Sequence, residues 1–440
     1  MLKTAEQNEN RKDGFLSFRR PFMSRLKRLQ GGLIRLEDHS AKGKLVEFGD
    51  AGSPLQANAS INNGAAFKKI ATGGSLGAAE AFMDGDWDSS DLTDLIRIFI
   101  RNLDASHSID ASTSWFRRLG DRLLQRLKAN TIRGSKSNIA QHYDLGNDFY
   151  SLWLDDTMNY SCAVFDRADV SLSEASTAKM ERVCRELDLS PEDHLLEIGT
   201  GWGGLAMHAA KHFGCQVATT TISDEQHKMA RQRVQAAGLQ DRVTVLNKDY
   251  RELEGRFDKL VSIEMIEAVG HEYLPTFFEK CSQLLKQDGR MLLQSIVIAD
   301  QRYEFHRKSV DFISKYIFPG GALPSIAKLT ELAAKQGGFR MLRLTDIAPH
   351  YAETLRRWRY KFTEQLSAVR GLGFDERFIR MWMYYLCYCE AAFDERQINC
   401  VQMLLAKNKC HFDPIACTDR GVFQDQTASN QRTVKIPQCI

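Results

Sequence analysis

The chain has 440 residues, 43% of them hydrophobic, and a net charge of only +3, which excludes a wholly disordered polypeptide and leaves room for more than one domain. No apolar run approaches the roughly 18–20 residues of a spanning helix, and Met1–Asn10 lacks the apolar centre of a signal peptide, so neither membrane insertion nor secretion is expected. Ten scattered cysteines without a Cys-x-x-Cys pair read as free thiols, and no metal site is expected.

Residues 1–30 form a polar lead-in whose second half carries Arg19, Arg20, Arg25, Lys27 and Arg28. Residues 31–112 then read as a small α+β domain. Strand-like runs lie at Gly32–Leu36, Lys44–Phe48 and Leu55–Ala59, and helical periodicity at Ala65–Ile70 and Leu92–Leu103. Residues 113–137 form a basic linker in which Trp115, Phe116, Leu119, Leu123, Leu124 and Leu127 recur at helical spacing among Arg117, Arg118, Arg122, Arg126, Lys128 and Arg133. Such a helix suits an anionic membrane surface, each basic group contributing about 1 kcal/mol. An ordinary surface helix packed by its leucines is the alternative, and no motif for nucleic acid supports that third reading.

From 138 to 408 strands alternate with helices, the pattern of a mostly parallel sheet covered on both faces. Strands are expected at Leu195–Ile198, Gln216–Thr220, Val243–Leu246, Lys259–Ile263 and Arg290–Ile298, with helices at Ser223–Ala237 and Leu274–Leu285. Pro319–Glu364 reads as a helical insertion capping a cofactor site, and 409–440 as a loose polar tail.

Within this domain His194–Gly204 joins a short apolar run, Glu197 and four glycines, as a buried strand does when it breaks into a helix over a nucleotide. The spacing of Gly199, Gly201 and Gly204 fits a dinucleotide or S-adenosylmethionine. A dinucleotide site wants an acid at the end of the next strand. That strand ends instead in Thr219–Thr221, and Trp202 is bulky where a pyrophosphate would approach the backbone. These residues favour S-adenosylmethionine, with Glu197 near its methionine part.

Five segments, in order, resemble the cyclopropane-fatty-acid synthase and mycolic-acid methyltransferase family. They are Asn138–Asn147, Met158–Ala163, Leu196–Gly203, Met265–Gly270 and Lys315–Gly321, and the module before them resembles that of the bacterial phospholipid enzymes. The resemblance implies a class I S-adenosylmethionine-dependent methyltransferase, a Rossmann-like α/β sheet with helical insertions behind a small lipid-associated α+β domain. It implies a one-carbon transfer to the cis double bond of unsaturated phospholipid acyl chains, giving a cyclopropane. A methyl- or methylene-branched product and a non-catalytic lipid-binding relative are the alternatives. It also implies a cytoplasmic protein at the inner face of the membrane, with a homodimer as the open expectation for assembly.

For the cofactor the resemblance selects Tyr160, Ser161, Glu197, Gly199, Gly201, Thr221, Ser223, Gln226, Asp249 and Tyr250. A bound bicarbonate is implied as general base, held by the Cys162 backbone, Glu267 and Tyr351. The family's histidine is replaced by Gln294, which donates a hydrogen bond but cannot carry charge. Ala268 likewise replaces a histidine often found after the glutamate. Cys389 matches a cysteine once assigned catalytic, although its aromatic helical surroundings suit a packing thiol.

Overall fold

A computed structural model describes residues 17–41, 43–102, 134–135 and 145–411. Nearly all of the basic linker, most of Asn138–Asn147 and the tail from 412 lie outside the described residues.

In the N-terminal module β1 (Leu33–Asp38) buries Leu33, Ile34 and Leu36. It pairs antiparallel with β2 (Leu45–Gly49) and parallel with β3 (Gln56–Ile61), and the two-residue β4 (Trp87–Asp88) closes the order β2-β1-β3-β4. Helix α1 (Ala65–Met83) is kinked at Gly74, whose φ of 58° and ψ of −140° leave the helical region. Helix α2 (Leu92–Arg101) buries Leu92, Leu95, Ile96 and Ile98, an apolar stripe at helical spacing.

The second module begins with α3 (Asn147–Ser151) and α4 (Leu172–Leu187). Ser171 and Glu174 form a reciprocal capping box at the start of α4. There follow β5 (His194–Ile198), α5 (Gly204–Phe213), β6 (Gln216–Thr221), α6 (Asp224–Ala236), β7 (Val243–Asn247), β8 (Phe257–Ile263), α7 (Leu274–Leu284) and β9 (Leu285–Ile298). After α8 (Asp300–His306) come α9 (Ile326–Lys335), β10 (Arg340–Asp346), α10 (Ala348–Glu364), α11 (Leu366–Gly371), α12 (Glu376–Asp394) and β11 (Ile398–Ala406).

The seven strands lie in the order β10-β11-β9-β8-β5-β6-β7. All pairs from β9 to β7 are parallel, whereas β11 runs antiparallel to both of its neighbours. This is the mostly parallel Rossmann-like sheet that the resemblance implies. Its strand order reverses between β5 and β8, where open α/β sheets place their ligands beyond the carboxyl ends. The first residues past these strands are Gly199 and Glu264.

The expected insertion at Pro319–Glu364 is corrected by the fold. Helix α9 and strand β10 in that range belong to the sheet architecture, and the excursion is residues 299–325, which rejoin the sheet through the bridge between Ile298 and Ser325. Two signals hid this arrangement. β10 is an edge strand with no fully buried residue, and its mixed Arg-Met-Leu-Arg-Leu pattern fits a helix as well. β11 is nearly all apolar and lies inside the sheet.

One apolar cluster runs through both modules, from Ile34, Phe67 and Ile98 to Phe149, Trp153 and Trp382. Arg97 and Arg101 add ion pairs to Glu395 at 2.9 and 2.7 Å, and Lys315 one to Glu80 at 2.6 Å. Each fully buried large side chain contributes about 1.5–3 kcal/mol, against about 0–1 for a partly exposed ion pair. Apolar contact therefore joins the modules.

Candidate active site

A cavity of about 570 Å³ opens at the crevice between β5 and β8. Its polar end is lined by the glycine loop, and its far end by Ile34, Ala59 and Ile61 of the N-terminal sheet with Leu95, Ile96 and Phe99 of α2.

At the polar end Gly199 has φ 105° and Gly201 φ 53°, values that side chains rarely tolerate. The N–H groups of Gly199 and Thr200 donate to Thr220 O at 3.1 and 3.0 Å, clamping the loop to β6. A Cβ on Gly201 would meet no atom of the described residues within 4 Å, and Gly201 lines the cavity. Behind it Thr219 Oγ1 donates to Glu197 Oε2 at 2.5 Å, and the Thr200 and Thr219 hydroxyls lie 2.7 Å apart. Burial pushes the Glu197 carboxyl up to about 8, against the opposing pull of Thr219 and Lys179.

Thr221 Oγ1 donates to Gln226 Oε1 at 2.9 Å, with both residues on the cavity wall. Tyr160, Ser161, Asp249 and Tyr250 also line it. The Asp249 carboxylate is held by Arg251 at 2.7 Å, and the Tyr250 hydroxyl is buried with no hydrogen-bond partner among the described residues. Ser223 lies off the wall and instead caps α6, accepting from Gln226 N at 3.2 Å.

Lys179 was not foreseen. It is 1% exposed, and its Nζ donates to Ser161 Oγ at 2.9 Å and lies 3.4 Å from Asn159 Oδ1. Its signal was a lysine inside the buried stripe of α4, between Ala175 and Val183. Burial lowers its pKa, while Glu264 and Glu197 oppose that shift. The glycine edge, the hydrogen-bonding wall and three cavity-facing acids, Glu197, Glu264 and Glu267, fit a cationic sulfonium donor. A cation entering such a site favours the ionised carboxylates.

At the turn after β8 the structure departs from expectation. Glu264, which sequence reasoning passed over, collects the donors assigned to bicarbonate. Its Oε1 accepts from Cys162 N–H at 2.9 Å and from Gln294 Nε2 at 2.7 Å, and its Oε2 accepts from Tyr351 OH at 2.6 Å. The amide orientation of Gln294 is fixed from outside. Arg182, a donor only, reaches Gln402 Oε1 at 2.8 Å, and Gln402 Nε2 reaches Gln294 Oε1 at 2.9 Å. Gln294 must therefore present its N–H₂ to Glu264.

Holding Glu264 at φ 49° costs roughly 1–2 kcal/mol for a residue with a Cβ. Burial raises its pKa, and hydrogen bonds from Tyr351, Cys162 and Gln294 pull it back. Cys162 and Gln294 stand behind this carboxylate, off the cavity wall. Bicarbonate does not fit these donors while Glu264 fills them.

Glu267 has a different setting from the one expected. Its Oε1 accepts from Ile296 N–H at 2.5 Å and Ser295 Oγ at 3.1 Å, and its buried Oε2 has no hydrogen-bond partner among the described residues. Burial, with the Glu264 charge nearby, pushes it up to about 8. Cys389 lines the cavity, but burial pushes its thiol far up, away from the thiolate that a nucleophile needs.

Comparison with known proteins places these features. The sequence model of the family described as mycolic acid cyclopropane synthetase matches residues 131–403. The chain is 37% identical over 347 residues to the tuberculostearic acid methyltransferase UfaA1 of Mycobacterium tuberculosis, covering 77% of this chain and 81% of that protein. It is 36% identical over 358 residues to the cyclopropane-fatty-acyl-phospholipid synthase of Escherichia coli K12, covering 80% and 88%. Among solved structures, the cyclopropane synthase MmaA2 from Mycobacterium tuberculosis superposes with a TM-score of 0.58 at 32% identity, over 62% of this chain and 98% of that one. The mycolic acid cyclopropane synthase CmaA1 complexed with SAH and CTAB gives 0.58 at 34% identity, over 62% and 98%.

Proposed function

Because the chain belongs to the mycolic acid cyclopropane synthetase family, we propose that it transfers a one-carbon unit to the cis double bond of an unsaturated phospholipid acyl chain and closes a cyclopropane ring. The donor is S-adenosylmethionine, which supplies an electrophilic methyl group. One observation carries the acyl reading: a single cavity joins the glycine loop to the apolar lining of the N-terminal module. Tyr160, Ser161, Thr221 and Gln226 would hold the donor, and the apolar walls would keep water from the cation formed on the acyl chain.

Mass spectrometry of total fatty acids from an expressing host tests this reading. A cyclopropane product absent without the gene is expected, and an unchanged profile would sink it. Gln294, standing where the family has a histidine, favours a second reading in which the product is a methyl or methylene branch, and the same spectra distinguish the two. A purely lipid-binding role fits less well with a complete Glu264–Tyr351 cluster, and it would win if purified protein bound the cofactor yet released no S-adenosylhomocysteine with unsaturated phospholipid vesicles. The basic segments Arg19–Arg28 and Arg117–Lys136 support docking on an anionic membrane. Vesicle binding is then expected to weaken sharply with salt.

A further inference from the structure

The reaction leaves a proton to be removed. As the alkene pair forms a bond to the donor's methyl carbon and the C–S bond breaks, a cation is left on the neighbouring chain carbon. Ring closure needs a base to take a proton from the new methyl group, so that the C–H pair becomes the third ring bond. In the branched alternative the same base takes a proton from an adjoining carbon, and the pair becomes a C=C bond.

We infer that Glu264 is this base, a carboxylate built into the chain in the place of a dissolved bicarbonate; the inference rests on the acyl-transfer reading. Four observations converge on it. Glu264 lines the cavity, as does Tyr351, whose hydroxyl donates to the Glu264 carboxylate at 2.6 Å. Its oxygens hold the Cys162, Gln294 and Tyr351 donors, so a second anion has none of them. The Arg182–Gln402–Gln294 chain forces a donor toward it and so selects a carboxylate at this point. The residue is kept at φ 49°, a conformation that suits glycine, although it is a glutamate. Gln294 then becomes intelligible. A neutral amide that only donates suffices once the acceptor is covalently fixed. After ring closure the proton sits on Glu264, and it passes to solvent when product leaves.

The test uses the full-length protein with unsaturated phosphatidylglycerol vesicles and S-adenosylmethionine, in buffer stripped of carbon dioxide or supplemented with bicarbonate. Wild-type turnover is expected to stay within about twofold in the two buffers. Glu264→Gln is expected to fall by about 100-fold or more with donor affinity unchanged, and not to be rescued. Glu264→Gly, which relieves the backbone and empties the seat, is expected to fall similarly and to recover at least about tenfold on adding bicarbonate. A second readout needs no turnover. Isotope-labelled bicarbonate should show NMR line broadening with Glu264→Gly and none with the wild type. Broadening with the wild type, a wild type that stalls without bicarbonate, or a fully active Glu264→Gln would each overturn the assignment. If no vesicle gives product, the acyl reading fails, and the NMR comparison still decides which anion holds the donors.

Discussion

The two sides of the crevice between β5 and β8 meet at one cavity, but they contribute to it by different routes. On the β5 side the donor seat is local: Gly199 and Thr200 hang from Thr220, and Glu197 from Thr219, across the adjacent strands β5 and β6. On the other side Glu264 is met by Cys162, Gln294 and Tyr351, which lie 102, 30 and 87 residues away in sequence. The first arrangement is a motif and the second a meeting of distant segments. A motif announces which ligand is held, whereas the meeting decides what is done to it.

The contrast is testable by damaging each side separately. The largest effect is expected from Gly199→Val, because φ 105° disfavours a branched side chain and a Cβ would sit 3.1 Å from Met265. Affinity for S-adenosylmethionine by calorimetry should drop about 100-fold or more, the equivalent of roughly 3 kcal/mol. A drop below threefold would break the assignment of the loop as donor seat. Tyr351→Phe acts on the opposite side. Removing the hydroxyl that bonds Glu264 should lower kcat by about 10–100-fold and leave donor affinity unchanged, since a hydrogen bond to a charged group contributes about 1.5–3 kcal/mol. Equal loss in both parameters would merge the two sides into one.

Glu267 sharpens the comparison through pH. Its ordinary pKa of 4.5 is raised to about 8 in the fold by burial and by Glu264. Below about 4.5 both native and unfolded chains hold the proton, and between there and about 8 only the native chain does. The native state then binds more protons, so stability falls as pH rises across that window and levels off above it. Melting curves of Glu267→Gln should lose this decline; parallel pH profiles for variant and wild type would count against it. The smallest effect is expected from Cys389→Ala. The thiol is protonated and packed among aromatics, so turnover should stay within about threefold, and a hundredfold loss would restore it to the chemistry.

What could be read in advance follows the same division. The glycine loop, the threonine-ended second strand and the alternating elements are short-range patterns, and each was visible in order along the chain. Glu264 immediately precedes the Met265–Gly270 segment that holds Glu267, and nothing in composition or spacing says which of the two reaches Cys162. That choice depends on a left-handed turn at Glu264 and on the antiparallel return of β11, which brings Gln402 opposite Gln294. Lys179 stayed hidden for a related reason: a lysine in a capped, charged helix reads as solvated until the buried face is known.

The apolar cluster that runs from Ile34 to Trp382 has a thermodynamic consequence. A boundary near residue 112 divides the chain by pattern, but the first module's interior is continuous with part of the second, which also holds two clusters of its own, so the first has no separate core to fall back on. Heat or denaturant is therefore expected to unfold both modules in one cooperative transition. Removing the N-terminal module would uncover Tyr384, whose ring packs on Phe82 at 5.6 Å, and leave the remainder prone to self-association.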